Sequence, residues 1–200
     1  LLGCAENKDY LAAVLKFMED FGVEPYDEAN HKGLVRHVLL RKGFASGEHM
    51  VCLVINGKKL PHEKEFTERM REVGADSISL SFNMEKTNVI LGTEIKNLYG
   101  PGYITDKIGN IEYRISPLSF YQVNPVQTEK LYTKALELAG LTGKETVVDA
   151  YCGIGTIGII ASKKAGNVIG VELNQDAVRD AVENAKTNQV KNIQFYNNDA

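Results

Sequence analysis

The chain has 200 residues, 44% of them hydrophobic and 24% charged, which is enough apolar content for one good core or two small ones and argues against a disordered tail. No run approaches the roughly 18 apolar residues of a membrane-spanning helix, and the opening LLGCAENKDY lacks the basic-then-apolar layout of a secretion signal, so a cytoplasmic protein without membrane association is expected. A formal charge of −3 and a pI near 5.9 exclude a global basic footprint, while three cysteines at irregular spacing (Cys4, Cys52 and Cys152) exclude a disulfide framework or zinc site, so no metal is expected.

Residues 8–20 place Leu11, Val14, Leu15 and Met18 at helical spacing, predicting one amphipathic helix with that face inward. A basic block follows: Lys32, Arg36, Arg41 and Lys42, with His31 and His37, occur without an acid, as either a nucleic-acid-facing patch or an ordinary solvated strand face. Residues 34–41 and 49–55, rich in β-branched and apolar side chains on either side of KGFASGE, predict a hairpin. A helix over 61–73 and a half-buried strand over 77–83 come next, then punctuation at Gly100, Pro101 and Gly102, and a second hairpin over 102–116 turning near Gly109 and Asn110.

From Asn124 the pattern changes to alternating helix and short strand, which places a domain boundary near residues 116–125: an α+β subdomain over 1–115, then an α/β part over 116–200. Helices are expected over 128–138, 156–164 and 175–187, and strands over 145–150, 167–171 and 193–196. Three strands are about half of a doubly wound sheet, so the chain is expected to be a fragment that continues past Ala200.

The sequence VVDAYCGIGTIGI (147–159) joins an apolar strand through a glycine turn to a helix, the order that a nucleotide site on a parallel sheet requires. Gly153 and Gly155 let the backbone turn tightly and approach a ligand, and the helix begins with unpaired N–H groups; Gly158 lets it pack closely. About twenty residues on, GVELN ends the next strand in Glu172, whose carboxylate can accept both hydrogens of a ribose diol. Tyr151 is placed to stack on the ligand or simply to close the loop, and Asp199 to accept from an adenine amino group or to serve as a turn or capping residue. Because GIGTIG also satisfies the dinucleotide fingerprint, an NAD- or flavin-dependent oxidoreductase is the alternative. Asp149 at the strand end would face a pyrophosphate there, and the motif follows at least 120 residues of other structure, so both features favour S-adenosylmethionine.

ISPLSFYQVNP (115–125), followed about 25 residues later by DAYCGIGT, resembles the RNA uracil-5 methyltransferases that act on tRNA and ribosomal RNA, and RHVLLRKG (36–43) resembles that family's basic strand. The resemblance runs from about Arg36 to the end and implies an N-terminal α+β subdomain facing RNA, then the first half of a Rossmann-like class I methyltransferase sheet. It implies S-adenosylmethionine as cofactor and ribosomal RNA or tRNA as partner, with no obligate protein partner. It makes Gln122 a cofactor contact with Phe120 the aromatic before it, Tyr151 the aromatic of the glycine loop and Glu172 the ribose-binding acid; Thr156 stands where several relatives have asparagine. The family reaction begins when a cysteine thiolate adds to uracil C6, after which C5 attacks the sulfonium methyl and a base removes the C5 proton. That thiol follows an Asp-Pro-Pro-Arg segment which this chain lacks. No catalytic residue is therefore assigned here, Cys152 is expected to be a buried thiol, and the 200 residues alone are expected to be inactive. Cys4 corresponds at most to a remnant of the iron–sulfur ligands of some relatives, and no counterpart of their N-terminal RNA-binding barrel is expected within these 200 residues. The non-enzymatic alternative is an RNA-binding module, gripping through Arg36 and Arg41, on a non-catalytic Rossmann scaffold.

Overall fold

A computed structural model describes residues 3–200 and divides them into two compact units. The first, over 3–43 and 47–104, holds helix α1 (Asn7–Phe21), strands β1 (Val35–Lys42) and β2 (His49–Ile55), helix α2 (Glu63–Val73), and strands β3 (Ser77–Phe82) and β4 (Glu94–Tyr99). The strands form one sheet in the order β1-β2-β3-β4, antiparallel at both outer pairs and parallel between β2 and β3. The predicted hairpin, α2 and β3 are present; α2 starts two residues late because His62 takes a left-handed backbone (φ 54°).

The inward face of α1 differs from the expected one. Tyr10, Val14 and Phe17 are buried, whereas Leu11 and Leu15 are 43% and 65% exposed. The larger aromatic side chains bury more area per residue and so set the helix rotation. Phe17 meets Phe66 of α2 edge-on at 5.2 Å, in a core completed by Leu53, Ile55, Ile78 and Leu80. β4 escapes the sequence pattern because of a bulge: Ile78 pairs with Tyr99 and Ser79 with Asn97, so Leu98 has no partner and the apolar Ile95 and Leu98 fall out of period two.

Arg36 is neither a solvated nor an exposed nucleic-acid-facing residue, since its side chain is only 1% exposed. Nη1 donates to the carbonyls of Asn83 (3.0 Å) and Glu85 (2.8 Å) and Nη2 to that of Thr87 (3.2 Å), while the guanidinium lies 4.5 Å from the Tyr26 ring centroid. Asn83 continues the clamp by donating to Val89 O and Ile90 O. The cation therefore organises the loop after β3, and burial also lowers the pKa of Arg41.

The second unit comprises Phe44–Ser46 and Thr105–Ala200. It contains strands β5 (Ile104–Ile108) and β6 (Ile111–Ile115), helix α3 (Pro125–Ala139), strand β7 (Thr146–Asp149), helix α4 (Thr156–Ala161), strand β8 (Asn167–Glu172), helix α5 (Gln175–Thr187) and strand β9 (Ile193–Asn197). β7, β8 and β9 form a parallel sheet in that order, joined by α4 and α5, and β5 and β6 form their own two-stranded sheet. Asn124 caps α3 by accepting from Gln127 N–H, with Pro125 in the first turn, and Asn174 caps α5 through Asp176 and Ala177 N–H.

The packing break falls at 104/105, ahead of the sequence boundary at 115/116. β6 belongs to the second unit because α5 offers it a polar ladder. Asn188 accepts from Glu112 N–H (3.0 Å) and donates to Glu112 O (2.6 Å); Asn184 accepts from Arg114 N–H (2.7 Å). Four helical residues rise about 6 Å and two strand residues about 6.8 Å, so side chains at i and i+4 of α5 meet alternate residues of β6 as a neighbouring strand would. Asp180, one turn earlier, accepts from Ser119 Oγ (2.8 Å), which itself accepts from Ser116 N–H.

Among the described residues no helix is long and apolar enough to cross a membrane, and no cluster of three or more His, Cys, Asp or Glu could hold a metal.

Replacing Arg36 by Met leaves three carbonyls without a charged donor and is expected to lower stability by about 2–4 kcal/mol in chemical denaturation, against less than about 0.5 for exposed Lys32→Ala. Equal effects of the two changes would refute the clamp.

Candidate functional site

The C-terminal ends of the three parallel strands bring together Asp149, Glu172 and Asn197: Asp149 pairs with Gly170, and Glu172 with Asn197. Open α/β sheets bind ligands at this edge, where loops leave the strands and helix N-termini point outward. The turn after β7 is held from both sides. Cys152 N–H donates to Val171 O (3.0 Å), Gly155 N–H to Cys152 O (2.8 Å), and Gly153 N–H to Glu172 Oε2 (3.1 Å).

Both Glu172 oxygens are engaged, since Oε1 accepts from Asn174 N–H at 2.8 Å. A carboxylate oxygen has two lone pairs, so each can still accept one further hydrogen bond. Gly153 (φ 53°) and Gly155 (φ 81°) take left-handed conformations, and an added side chain at Gly153 would meet no atom within 4 Å. That side of the loop is open to a ligand. Tyr151, on the same loop, is 81% exposed.

Asp149 is turned inward: its Oδ2 accepts from Gly158 N–H in the first turn of α4 (3.1 Å). Burial raises its carboxyl pKa, partly offset by that bond and reinforced by the nearby Glu172 charge. Gly158 is where Ile193, Val168 and the Asp149 carboxylate crowd within 3.1–3.4 Å of the position a Cβ would take, so the helix packs directly on the sheet.

The sequence-predicted residues divide into groups. Gly153, Gly155 and Glu172 converge through the bonds above, and Tyr151 stands exposed on the same loop. Asp199 lies two residues beyond Asn197, on the exposed segment after β9, where Asn198 N–H and Asn197 Nδ2 bond to Glu172 O (3.2 and 3.0 Å); its own Oδ1 accepts from Ala200 N–H. Gln122 stands apart, half-buried in a shallow depression with Val123, Asn124, Gln127 and Leu131 at the start of α3, and no hydrogen bond among the described residues joins it to the loop. Phe120 is 72% exposed and Val123 71%. Thr156 contributes its backbone, whose carbonyl accepts from the Tyr113 hydroxyl (3.0 Å).

Two structural residues were overlooked in the sequence. Gly170 in β8 has no room for a side chain, because a Cβ would lie 2.5 Å from Phe195 Cδ1 and 3.0 Å from Cys152 Sγ; the same ring approaches within 2.9 Å of a Cβ at Gly155. Phe195 thus fills the space beneath the loop. A glycine inside a strand signals such an approach and was the available clue. Cys152 is 4% exposed and its thiol is pushed up to about 12, first by burial and then by the Asp149 and Glu172 charges; burial likewise pushes Cys52 to about 11.

Residues 141–200 match a family model described as a methyltransferase domain. A protein of Clostridium tetani named as an uncharacterized RNA methyltransferase is 48% identical over 95% of this chain, and one of Halalkalibacterium halodurans with the same description is 46% identical over 98%. The chain spans 42% and 43% of the length of these two relatives. Among solved structures, the tRNA (uracil-54, C5)-methyltransferase of Pyrococcus abyssi in complex with S-adenosyl-L-homocysteine matches with a TM-score of 0.80 and 29% identity, over 94% of this chain and 45% of that one. The α/β part therefore has the first portion of a class I methyltransferase fold.

Gly170→Ala is expected to cost about 1–3 kcal/mol through overpacking against Phe195, with part regained in the double variant Gly170→Ala/Phe195→Leu; additive losses would contradict the wedge. In native protein at pH 8, Cys4 is expected to react with iodoacetamide well before Cys52 and Cys152, which should label on unfolding. Rapid native labelling of Cys152, mapped by peptide mass, would contradict its burial.

Proposed function

We propose that this chain is the cofactor-binding portion of a longer, cytoplasmic, S-adenosylmethionine-dependent RNA methyltransferase that methylates C5 of a uridine in ribosomal RNA or tRNA. The observation that carries the reading is the Glu172 carboxylate at the end of β8, tied by one oxygen to Gly153 N–H and by the other to Asn174 N–H. The remaining lone pairs suit two hydroxyl donors on adjacent carbons, as in a ribose diol. The open side of Gly153 leaves room for the ligand, and the exposed Tyr151 ring offers a face for an adenine or methionyl group. In this reading Gly155 shapes the turn, Asp199 accepts from the adenine amino group, and Gln122 contacts the cofactor when its segment closes on the loop.

When bound, the cofactor supplies an electrophilic methyl group on a sulfonium sulfur. The residues of this chain hold and orient it. Uracil C5 becomes nucleophilic enough to take the methyl only after a thiolate adds to C6, and neither well-buried thiol suits that role at neutral pH, since raised pKa values leave Cys52 and Cys152 protonated. We therefore place the nucleophilic cysteine and the final base outside these 200 residues, which fits relatives more than twice as long. Contact with RNA is assigned to the first unit, through its exposed cations such as Lys32, Lys58, Lys59 and Lys86 in place of the internal Arg36.

Full-length protein is expected to bind S-adenosylhomocysteine and to transfer labelled methyl groups to uridine-containing RNA, while Glu172→Ala weakens binding about tenfold or more in calorimetric titration. Unchanged affinity in Glu172→Ala, or NADH binding in place of S-adenosylhomocysteine, would reject the reading. The isolated 200 residues are expected to transfer no methyl group.

A further inference from the structure

Asn184 of α5 is completely buried, yet its side chain does more than complete the polar ladder. Its Oδ1 accepts from Arg114 N–H (2.7 Å); its Nδ2 donates to Ile154 O in the glycine loop (3.1 Å) and, at 3.4 Å, to Arg114 O. The Ile154 carbonyl and the Gly155 N–H belong to one rigid peptide plane, and that N–H donates to Cys152 O. The plane is thus gripped at both ends, by Asn184 on the carbonyl and by the loop itself on the amide. One residue earlier, Glu172 holds Gly153 N–H. Asn188, the C-cap of α5 four residues on, makes the same two-point bond to Glu112, with no hydrogen bond to the loop among the described residues.

We propose that Asn184 is a positioning residue for the cofactor: by donating to Ile154 O it fixes the buried loop peptide that follows Gly153, whose open side receives the ligand, and it couples that peptide to β6. The proposal rests on the reading of the glycine loop as an S-adenosylmethionine site. Aspartate at this position keeps an acceptor for Arg114 N–H but sets a second oxygen against the Ile154 carbonyl. Lone-pair repulsion then displaces the peptide at neutral pH. Protonation restores a donor, and a carboxyl buried between two carbonyls titrates above the ordinary range. Asn188→Asp makes the equivalent change at the C-cap of the same helix, where the side chain bonds Glu112 of the hairpin and Asn184 O but not the loop, so it separates helix stability from loop position.

The test is calorimetric titration of the full-length protein with S-adenosylhomocysteine at pH 8 and pH 6, with unfolding curves recorded alongside. Asn184→Asp is expected to bind about tenfold or more weakly than wild type at pH 8 and to regain most of that loss at pH 6, while Asn188→Asp stays within about twofold at both. Wild-type affinity in Asn184→Asp, a loss that does not recover at pH 6, or an equal loss in Asn188→Asp would overturn the proposal. If Asn184→Asp fails to fold, Asn184→Ser replaces it, with weaker binding expected at both pH values and unchanged affinity overturning the proposal. Failure of wild type to bind would instead reject the functional reading on which the proposal stands.

Discussion

The carboxylate of Glu172 accepts from Gly153 N–H on one side and Asn174 N–H on the other, and through these two bonds the loop after β7 is joined to the turn after β8. The rest of the site depends on that linkage. A glycine turn with two left-handed residues has many accessible conformations, and only an external grip holds it in one. Asn174, whose N–H occupies one Glu172 oxygen, is also the N-cap of α5, so the same carboxylate sets where that helix begins. Asn184 and the other buried polar residues of α5 follow from this start, and with them the seat of β6.

Space beneath the loop is governed as closely as hydrogen bonding above it. Phe195 from β9 reaches under β8 and the turn, and Gly170 and Gly155 are the positions that admit its ring. Cys152 lies against this packing with its thiol protonated, a small apolar filler in place of a reactive group. Opposite sides of one short loop therefore differ in kind: the buried side is filled, and the side at Gly153 is free of neighbouring atoms. This asymmetry suits a backbone that presents itself to a ligand.

Much of this arrangement was legible in the sequence because it is written in period and spacing. The alternating Ile104, Asp106 and Ile108 against Ile111, Tyr113 and Ile115 announced a hairpin, and the order strand, glycine turn, helix, then a strand ending in Glu172 announced a parallel pair whose loops meet at one edge. Other features were hidden for physical reasons. The bulge at Leu98 erased the alternation of β4, and the aromatic side chains of Tyr10 and Phe17 outweighed the leucines that seemed to define the face of α1. Arg36 looked like surface charge because a sequence does not reveal which carbonyls will need a donor. The roles of Asp180, Asn184 and Asn188 were likewise hidden, since a polar stripe facing a strand edge has the same spacing as one facing water. The domain boundary moved for that reason, as β6 is claimed by contacts that only the folded helix creates.

The central claim is that Glu172 and the open side of the glycine loop receive the ribose of an S-adenosyl ligand. A crystal structure of the full-length protein with S-adenosylhomocysteine tests it most directly. The account predicts both ribose hydroxyls within hydrogen-bonding distance of the Glu172 oxygens, with the ligand passing Gly153 on the side where no protein atom lies. A ligand bound elsewhere, or a ribose turned away from Glu172, would contradict it.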